Sequence, residues 1–327
     1  MKTPKFWFRS SPVLEKLLFP LSCLWMLGSS LNRVFTNPIK FNIPVICVGN
    51  LIAGGGGKTP VTIKLAKFLI KKGHKVHIIK KQYKSKNKEK LILVKKNSDP
   101  KLVGDEALLT AKVATTWLVK KRSTGIEKAI KCGANIVILD DGHQDYSIVK
   151  DYSILTIKDA QEFGNSKIIP AGPLRESIER GFRKADHIFY YGKINRSKFN
   201  CLKKNIPISL VKVQHNKKII FKRIKNKNVL AFSGIAHPDN FFNSIAKYNL
   251  KLIKKIEFPD HYSYTVDDIK RIVTIAKNFK LSIVTTEKDY VKISKKFRAK
   301  INSIPLQIKF DENNFYKLFY LKVNKNG

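Results

Sequence analysis

The apolar β-type run Val45-Ile46-Cys47-Val48-Gly49 leads within a few residues into four consecutive glycines, Gly54-Gly55-Gly56-Gly57, and then into Lys58-Thr59-Pro60. Four adjacent glycines are too costly in backbone entropy to lie inside a helix or strand, so the chain must form a loop there. It leaves that loop on an amphipathic pattern, with Val61, Leu65, Phe68 and Leu69 on one face of a helix read over Thr59 to Lys72. A strand, a glycine loop and a helix in this order let successive backbone N–H groups curl around a polyphosphate, while the helix N-terminus adds its positive dipole end. On this reading Gly54, Gly55, Gly56 and Gly57 cradle phosphates, Lys58 reaches the β- and γ-phosphates, and the Thr59 hydroxyl holds Mg²⁺. Ile52 stands where the usual Gly-x-x-x-x-Gly-Lys-Ser/Thr spacing has its first glycine.

Further β-type runs at Lys75–Lys81, Asn135–Asp140, Ser153–Lys158 and His187–Tyr191 are separated by helical segments, which predicts an α/β fold with a parallel sheet flanked by helices. The runs Ile206–His215 and Ile219–Ile224, around polar Asn216-Lys217-Lys218, read as a hairpin-like linker. Beyond it, a strand at Asn228–Ser233, a helix after Pro238, a helix at Thr265–Phe279 and a strand at Ser282–Thr286 suggest a second, smaller α/β unit. The expected organisation is an N-terminal helix in 1–36, a P-loop domain in 37–205, a two-stranded linker in 206–225, and a smaller domain in 226–327 whose tail is free to return to the first. The Lys/Asn stretch Lys84–Lys90 reads as a mobile loop.

With 327 residues the chain is long enough for two cores. Its net charge is +40, yet only ten of its 64 basic residues are arginine. Evenly spread lysine fits a compositional bias of the genome as well as attraction to an anionic surface, either nucleic acid or acidic lipid. Cys23, Cys47, Cys132 and Cys201 are far apart, which argues against a zinc site or a disulfide framework. Near the N-terminus, Lys2, Lys5 and Arg9 with Phe6, Trp7 and Phe8 precede the apolar run Leu17 to Gly28, which is broken by Pro20 and too short to span a bilayer. Basic and aromatic flanks around such a run suit a helix lying in a membrane interface, in preference to a plain core helix or a cleaved signal peptide.

Four clusters could carry chemistry. The strand ending in Asp140-Asp141-Gly142 delivers carboxylates to a sheet edge, where Mg²⁺ bridges phosphates. Gly104-Asp105-Glu106 offers either a helix cap or a proton acceptor for a substrate hydroxyl. His261, in Phe258-Pro259-Asp260-His261-Tyr262, could meet a carboxylate on the first domain and tune a general base. Arg175 and Glu176, after Pro170-Ala171-Gly172-Pro173-Leu174, could bind an anion and serve as a further metal ligand or its support.

Together these segments resemble the tetraacyldisaccharide 4′-kinases, which phosphorylate the disaccharide precursor of lipid A. The matching stretches are Val48-Gly49-Asn50, Gly55-x-Gly57-Lys58-Thr59-Pro60, Gly104-Asp105-Glu106, Asp140-Asp141-Gly142-x-Gln144, Pro170 to Glu176, Phe232-x-Gly234-Ile235, Phe258 to His261, and Thr285-Thr286-Glu287-Lys288-Asp289. The resemblance implies a two-domain P-loop kinase, acting as a monomer at the cytoplasmic face of the bacterial inner membrane, peripheral or monotopic, with ATP and Mg²⁺ as cofactors. Its acceptor would be an acylated glucosamine disaccharide 1-phosphate lipid, and no nucleic acid partner is expected. Asp105, assisted by His261, would activate the 4′-hydroxyl, and Lys58, Thr59, Asp140, Asp141 and Glu176 would handle MgATP. Asn50, Lys81, Arg122, Gln144 and Arg175 would face the acceptor. The chain departs from the family pattern at Gly56, usually Thr; at Lys80-Lys81-Gln82-Tyr83, usually Ser-Arg-Gly-Tyr; and at Asp145, usually His. Lys81 supplies a point charge without arginine's two-pronged fork. The competing readings are a nucleic-acid-associated P-loop ATPase, motivated by the charge, and a family member with impaired catalysis, motivated by these departures.

Overall fold

A computed structural model describes residues 4–9, 11–82, 90–159, 161–193, 205–215, 224 and 227–325. The chain divides into two compact units. The larger contains Thr3–Val94, Val113–Lys212 and Lys309–Gly327; the smaller contains Lys95–Lys112 and Val213–Ile308.

The larger unit is built on strands β1 (Val45–Gly49), β2 (Val76–Lys81), β3 (Leu91–Val94), β4 (Thr115–Val119), β5 (Ile136–Asp140), β6 (Tyr152–Lys158), β7 (His187–Tyr191) and β8 (Ile208–Gln214). The smaller has β9 (Asn228–Ser233), β10 (Lys251–Glu257), β11 (Ser282–Thr286) and β12 (Ile301–Ile304), and the chain passes back to the larger unit at β13 (Gln307–Lys309). The large sheet runs β13-β8-β7-β6-β1-β5-β2-β4-β3, and the small one β10-β9-β11-β12. From β4 across to β8 the neighbours are parallel, and β3 is antiparallel to β4. The central position of β1 makes its carboxyl end the point where strand order reverses, and ligands of open α/β sheets bind there. All five β1 residues are buried, as the continuous apolar run required.

The phosphate-loop helix spans Lys58–Lys71, starting one residue earlier than the apolar pattern suggested, and buries Val61, Leu65, Phe68 and Leu69. The run Ile206–His215 supplies β8, which joins the large sheet through the register Ile188↔Ile208 to Tyr191↔Val211. Most of its expected hairpin partner, residues 219–223, lies outside the described residues, as do 84–89 of the Lys/Asn loop. Five strands lie outside the pattern reading, among them β13, which is only three residues long. β3 and β12 are only four residues long, β4 begins on exposed Thr115, and lysines interrupt β10, an edge strand with no fully buried residue.

Residues 95–112, grouped by sequence order with the P-loop domain 37–205, cluster with the smaller unit. Their helix Asp105–Ala111 packs against the short helix Glu287–Tyr290, and Lys288 lies within 3.9 Å of Asp105 and 3.7 Å of Glu106. The C-terminal helix Glu312–Lys325 instead lies on the large sheet, where Phe315 and Phe319 meet Tyr152 edge-on.

The N-terminal helix Pro12–Val34 continues through Pro20. A narrow seam fastens this end of the chain to the larger unit: Trp7 Nε1 donates to the Pro170 carbonyl at 3.0 Å, Ser22 Oγ to Ile168 O at 2.8 Å and Trp25 Nε1 to Arg175 O at 3.2 Å. Away from the seam the helix exposes Val13, Leu17, Leu24, Leu27 and Val34. No helix among the described residues is long and apolar enough to cross a membrane.

Candidate functional site

The glycine loop is held by its carbonyls. Thr156 Oγ1 donates to Gly56 O at 2.8 Å, and Tyr191 OH to Gly57 O at 3.0 Å. In a trans peptide the N–H of the next residue points opposite to the carbonyl, so the amides of Gly57 and Lys58 are turned away from these anchors, as an anion cradle needs. Gly57 sits in the left-handed region with φ 76°, and a Cβ there would meet the Tyr191 ring at 2.7 Å. At Gly56 a Cβ would fall 2.0 Å from the Asn50 amide, so the departure from threonine is matched by where Asn50 lies. Ile52 is buried in a cluster with Leu51, Leu155 and Leu174, which explains why no glycine is needed at that point.

Parallel register brings the carboxylates to this loop. Val48 is level with Asp140, so Asn50 and the Asp140-Asp141 pair emerge side by side. Lys58 Nζ donates to Asn50 Oδ1 at 3.0 Å and lies 3.6 Å from Asp141 Oδ1. Arg175 Nη1 binds that same Asp141 oxygen at 2.8 Å. Burial alone would raise the Asp141 pKa, but the Lys58 and Arg175 charges outweigh it and hold the carboxyl well below the ordinary carboxylate range. Thr59 Oγ1 donates to Asp140 Oδ2 at 3.3 Å, and Lys80 Nζ is ion-paired with that same oxygen. Asp140 Oδ1 is buried and has no hydrogen-bond partner.

Thr59, Asp140 and Asp141 are thus gathered at one edge, whereas Glu176, proposed from sequence as a metal ligand, is spent differently. Both its oxygens are engaged: Lys184 Nζ at 2.7 Å, Gln144 Nε2 at 3.0 Å and Tyr146 OH at 3.3 Å. It fixes Gln144, whose amide also donates to the Asn50 carbonyl at 2.9 Å. Among the described residues no three His, Cys, Asp or Glu side chains gather into a metal cage. Mg²⁺ bound with a nucleotide needs only one or two carboxylates besides phosphate oxygens, and the unpartnered Asp140 Oδ1 beside the Thr59 hydroxyl fits that demand.

Arg122, expected to face the acceptor, is 4% exposed and pairs with Asp145 Oδ2 at 2.5 Å and the Asp141 carbonyl at 2.7 Å. It therefore braces the 141–145 turn, in which Asp141 has φ 63°. This pairing also accounts for Asp145 where the family pattern has histidine. Lys81 is exposed at the end of β2, and Gln82 N donates to Val119 O at 2.8 Å. Lys80, at the family's serine position, is the buried lysine of that pair. It was missed because a lysine ending a strand ordinarily reads as a solvated one. Lys184, which closes the Glu176 network, carried no signal in the sequence.

A second constellation lies entirely within the smaller unit. Gly104, with φ 82°, starts the helix that carries Asp105. Asp105 Oδ1 accepts from its neighbour's amide, Glu106 N, at 2.9 Å, which leaves Oδ2 facing His261 Nδ1 at 3.2 Å. His261 is placed by a turn with φ 59°, its N–H directed to Gly234 O at 3.2 Å. Lys288 Nζ is 3.3 Å from His261 Nε2 and within 3.9 Å of Asp105, Glu106 and Asp260. Asp289, fully buried, ties this corner down by accepting from Ser233, Tyr264 and Thr286 at 3.0, 2.9 and 2.7 Å. Burial pushes the Asp105 pKa up, but His261 and Lys288 more than reverse this and lower it to about 2. The Asp105 contact in turn raises the His261 pKa above its ordinary value.

The family model described as tetraacyldisaccharide-1-P 4′-kinase matches residues 14–324. A tetraacyldisaccharide 4′-kinase of Jannaschia is 35% identical over 315 residues, covering 95% of this chain and 96% of the relative. One of Rhodospirillum centenum is 31% identical over 316 residues, covering 95% and 94%. The crystal structure of LpxK from Aquifex aeolicus in complex with ATP superposes with a TM-score of 0.72 at 25% identity, covering 95% of this chain and 99% of that one. The α/β architecture with its phosphate loop, the motif order and the near-complete coverage agree, and the chain belongs to the tetraacyldisaccharide 4′-kinase family.

Proposed function

We propose that this protein transfers the γ-phosphate of ATP to the 4′-hydroxyl of a tetraacyldisaccharide 1-phosphate, forming the 1,4′-bisphosphorylated lipid A precursor. The observation that carries this is the coexistence, in one family member, of an intact cradle of Gly57, Lys58, Thr59 and Asp140 with an Asp105–His261 pair. Phosphoryl transfer asks little covalent chemistry of a protein. Lys58 and the loop amides position and neutralise the triphosphate, and Arg175 holds Asp141 in place beside Lys58. When bound, Mg²⁺ would lie against Asp140 and the Thr59 hydroxyl and neutralise phosphate charge. Asp105 accepts the proton of the acceptor hydroxyl, and His261, donating through Nδ1 to Oδ2, orients the carboxylate for that transfer.

Of the departures, Asp145 is absorbed by Arg122 and Lys80 is ion-paired with Asp140, so both are accommodated within the cradle's own charge balance, which favours an active kinase over an impaired one. The exposed apolar face of Pro12–Val34 supports peripheral attachment to a membrane surface, where the acylated acceptor resides.

The test is transfer of radiolabelled γ-phosphate from ATP to the tetraacyl disaccharide 1-phosphate in detergent. Wild type is expected to label the lipid, and Asp105→Ala to lose turnover by at least about 100-fold with MgATP affinity preserved. A folded, MgATP-binding wild type that transfers no label would overturn the assignment. Equal loss of rate and nucleotide affinity in Asp105→Ala would overturn its role as base.

A further inference from the structure

The β2–β5 register sets Lys80 directly opposite Asp140, and both residues are buried, at 9% and 2% exposure. The Lys80 ammonium is ion-paired with Asp140 Oδ2, the oxygen that also accepts from Thr59. A buried carboxylate must be compensated by a cation, and Asp141 already has its own partners in Lys58 and Arg175. The five groups, two carboxylates against Lys58, Lys80 and Arg175, carry a net charge of +1 when ionised (−2 + 3). Such a site repels a free dication and attracts a polyphosphate. A tethered ammonium also competes at a high effective concentration, whereas Mg²⁺ gives up its water reluctantly.

We propose that Lys80 is the resident cation of Asp140 in the nucleotide-free protein, so that a divalent ion enters only together with the triphosphate. Lys80 then donates part of the neutralising charge that a metal supplies in a site without such a lysine, and ATP binding keeps a metal-independent component. This rests on the reading of Lys58-Thr59 as the nucleotide cradle.

Two measurements on the full chain test it: Mn²⁺ binding without nucleotide, followed by electron paramagnetic resonance, and binding of a fluorescent ATP analogue in EDTA and in Mg²⁺. Wild type should bind Mn²⁺ weakly, and Lys80→Ser should bind it at least about tenfold more tightly while losing at least about tenfold in analogue affinity in EDTA. Lys80→Arg, which keeps the charge, should behave as wild type in EDTA. Equal Mn²⁺ affinity in wild type and Lys80→Ser overturns the proposal. Should Lys80→Ser fail to fold, wild type alone decides: analogue binding in EDTA within about tenfold of that in Mg²⁺ supports the proposal, and a larger loss refutes it. Absence of analogue binding under every condition refutes the cradle reading itself, a result distinct from binding that is indifferent to Lys80.

Discussion

At the scale of single residues, Lys288 shows how a charge can tune a reaction from beside the reacting group. Asp105 is faced by His261 and Lys288, with the Lys292 charge felt from farther off; Glu106 and Asp260 lie against Lys288, and Asp260 also lies beside His261. Lys288 lowers the pKa of both Asp105 and His261, so its removal raises both. Lys288→Met should therefore move the His261 imidazole titration, read by NMR, to higher pH, and shift the acid limb of kcat/KM the same way; Lys288→Arg should restore both. A residue that only supports the fold would lower stability and leave the titration midpoint in place. Asp105 and His261 were legible in the sequence because each stands in a distinctive local motif. Lys288 stands in a motif too, but nothing in a strand-to-helix turn says that its side chain reaches another helix. Lys80 was illegible for the opposite reason: its burial is a property of sheet register, which single-sequence periodicity does not contain.

Among the elements, the phosphate loop and its helix could be read almost to the residue, since glycine tolerance and helical periodicity are local properties. Loop shape depends also on Tyr191, which arrives from a strand more than a hundred residues away. Gly57→Ala should cost about 1–2 kcal/mol from the left-handed backbone alone, and more if Tyr191 must move. It should weaken ATP-analogue binding as well, and urea unfolding with and without nucleotide separates the two effects. The N-terminal helix makes a different demand. Its seam residues Ser22 and Trp25 are hydrogen-bonded to the larger unit, while Leu17, Leu24 and Leu27 are exposed. Changing these three leucines to serine should abolish co-sedimentation with anionic lipid vesicles and leave MgATP affinity intact. Unchanged sedimentation would mean that lysine charge alone carries the attachment.

On the scale of the whole molecule, buried histidines govern the response to acid. His143 is 1% exposed, with Nε2 2.9 Å from Gly181 O, and burial together with the Lys184 charge lowers its pKa to about 4. His187 is fully buried between Tyr152 OH at 3.0 Å and Ser209 Oγ at 2.8 Å, and burial lowers its pKa to about 4 as well. Between pH 6.5 and 4 the unfolded chain binds protons that these two sites refuse, so stability falls as pH falls through that window and levels off below it. Each site is worth on the order of 3 kcal/mol at most. His261 works in the opposite sense: its stabilisation is complete below pH 6.5 and disappears as pH rises through its higher folded value, but its side chain is 57% exposed and the effect is small. Asp105 and Asp145, both lowered to about 2, stabilise the fold above about pH 4, and this contribution goes only as pH drops from there toward 2. Acid should therefore act in two stages, histidines first and carboxylates second. All three tryptophans, Trp7, Trp25 and Trp117, lie in the unit that holds His143 and His187. Urea midpoints followed by tryptophan fluorescence should decline from about pH 6.5 toward 4 in the wild type, and His187→Gln should flatten that slope by roughly half whatever its effect at neutral pH. A slope unchanged by His187→Gln would show that His187 is protonated within the fold over this range.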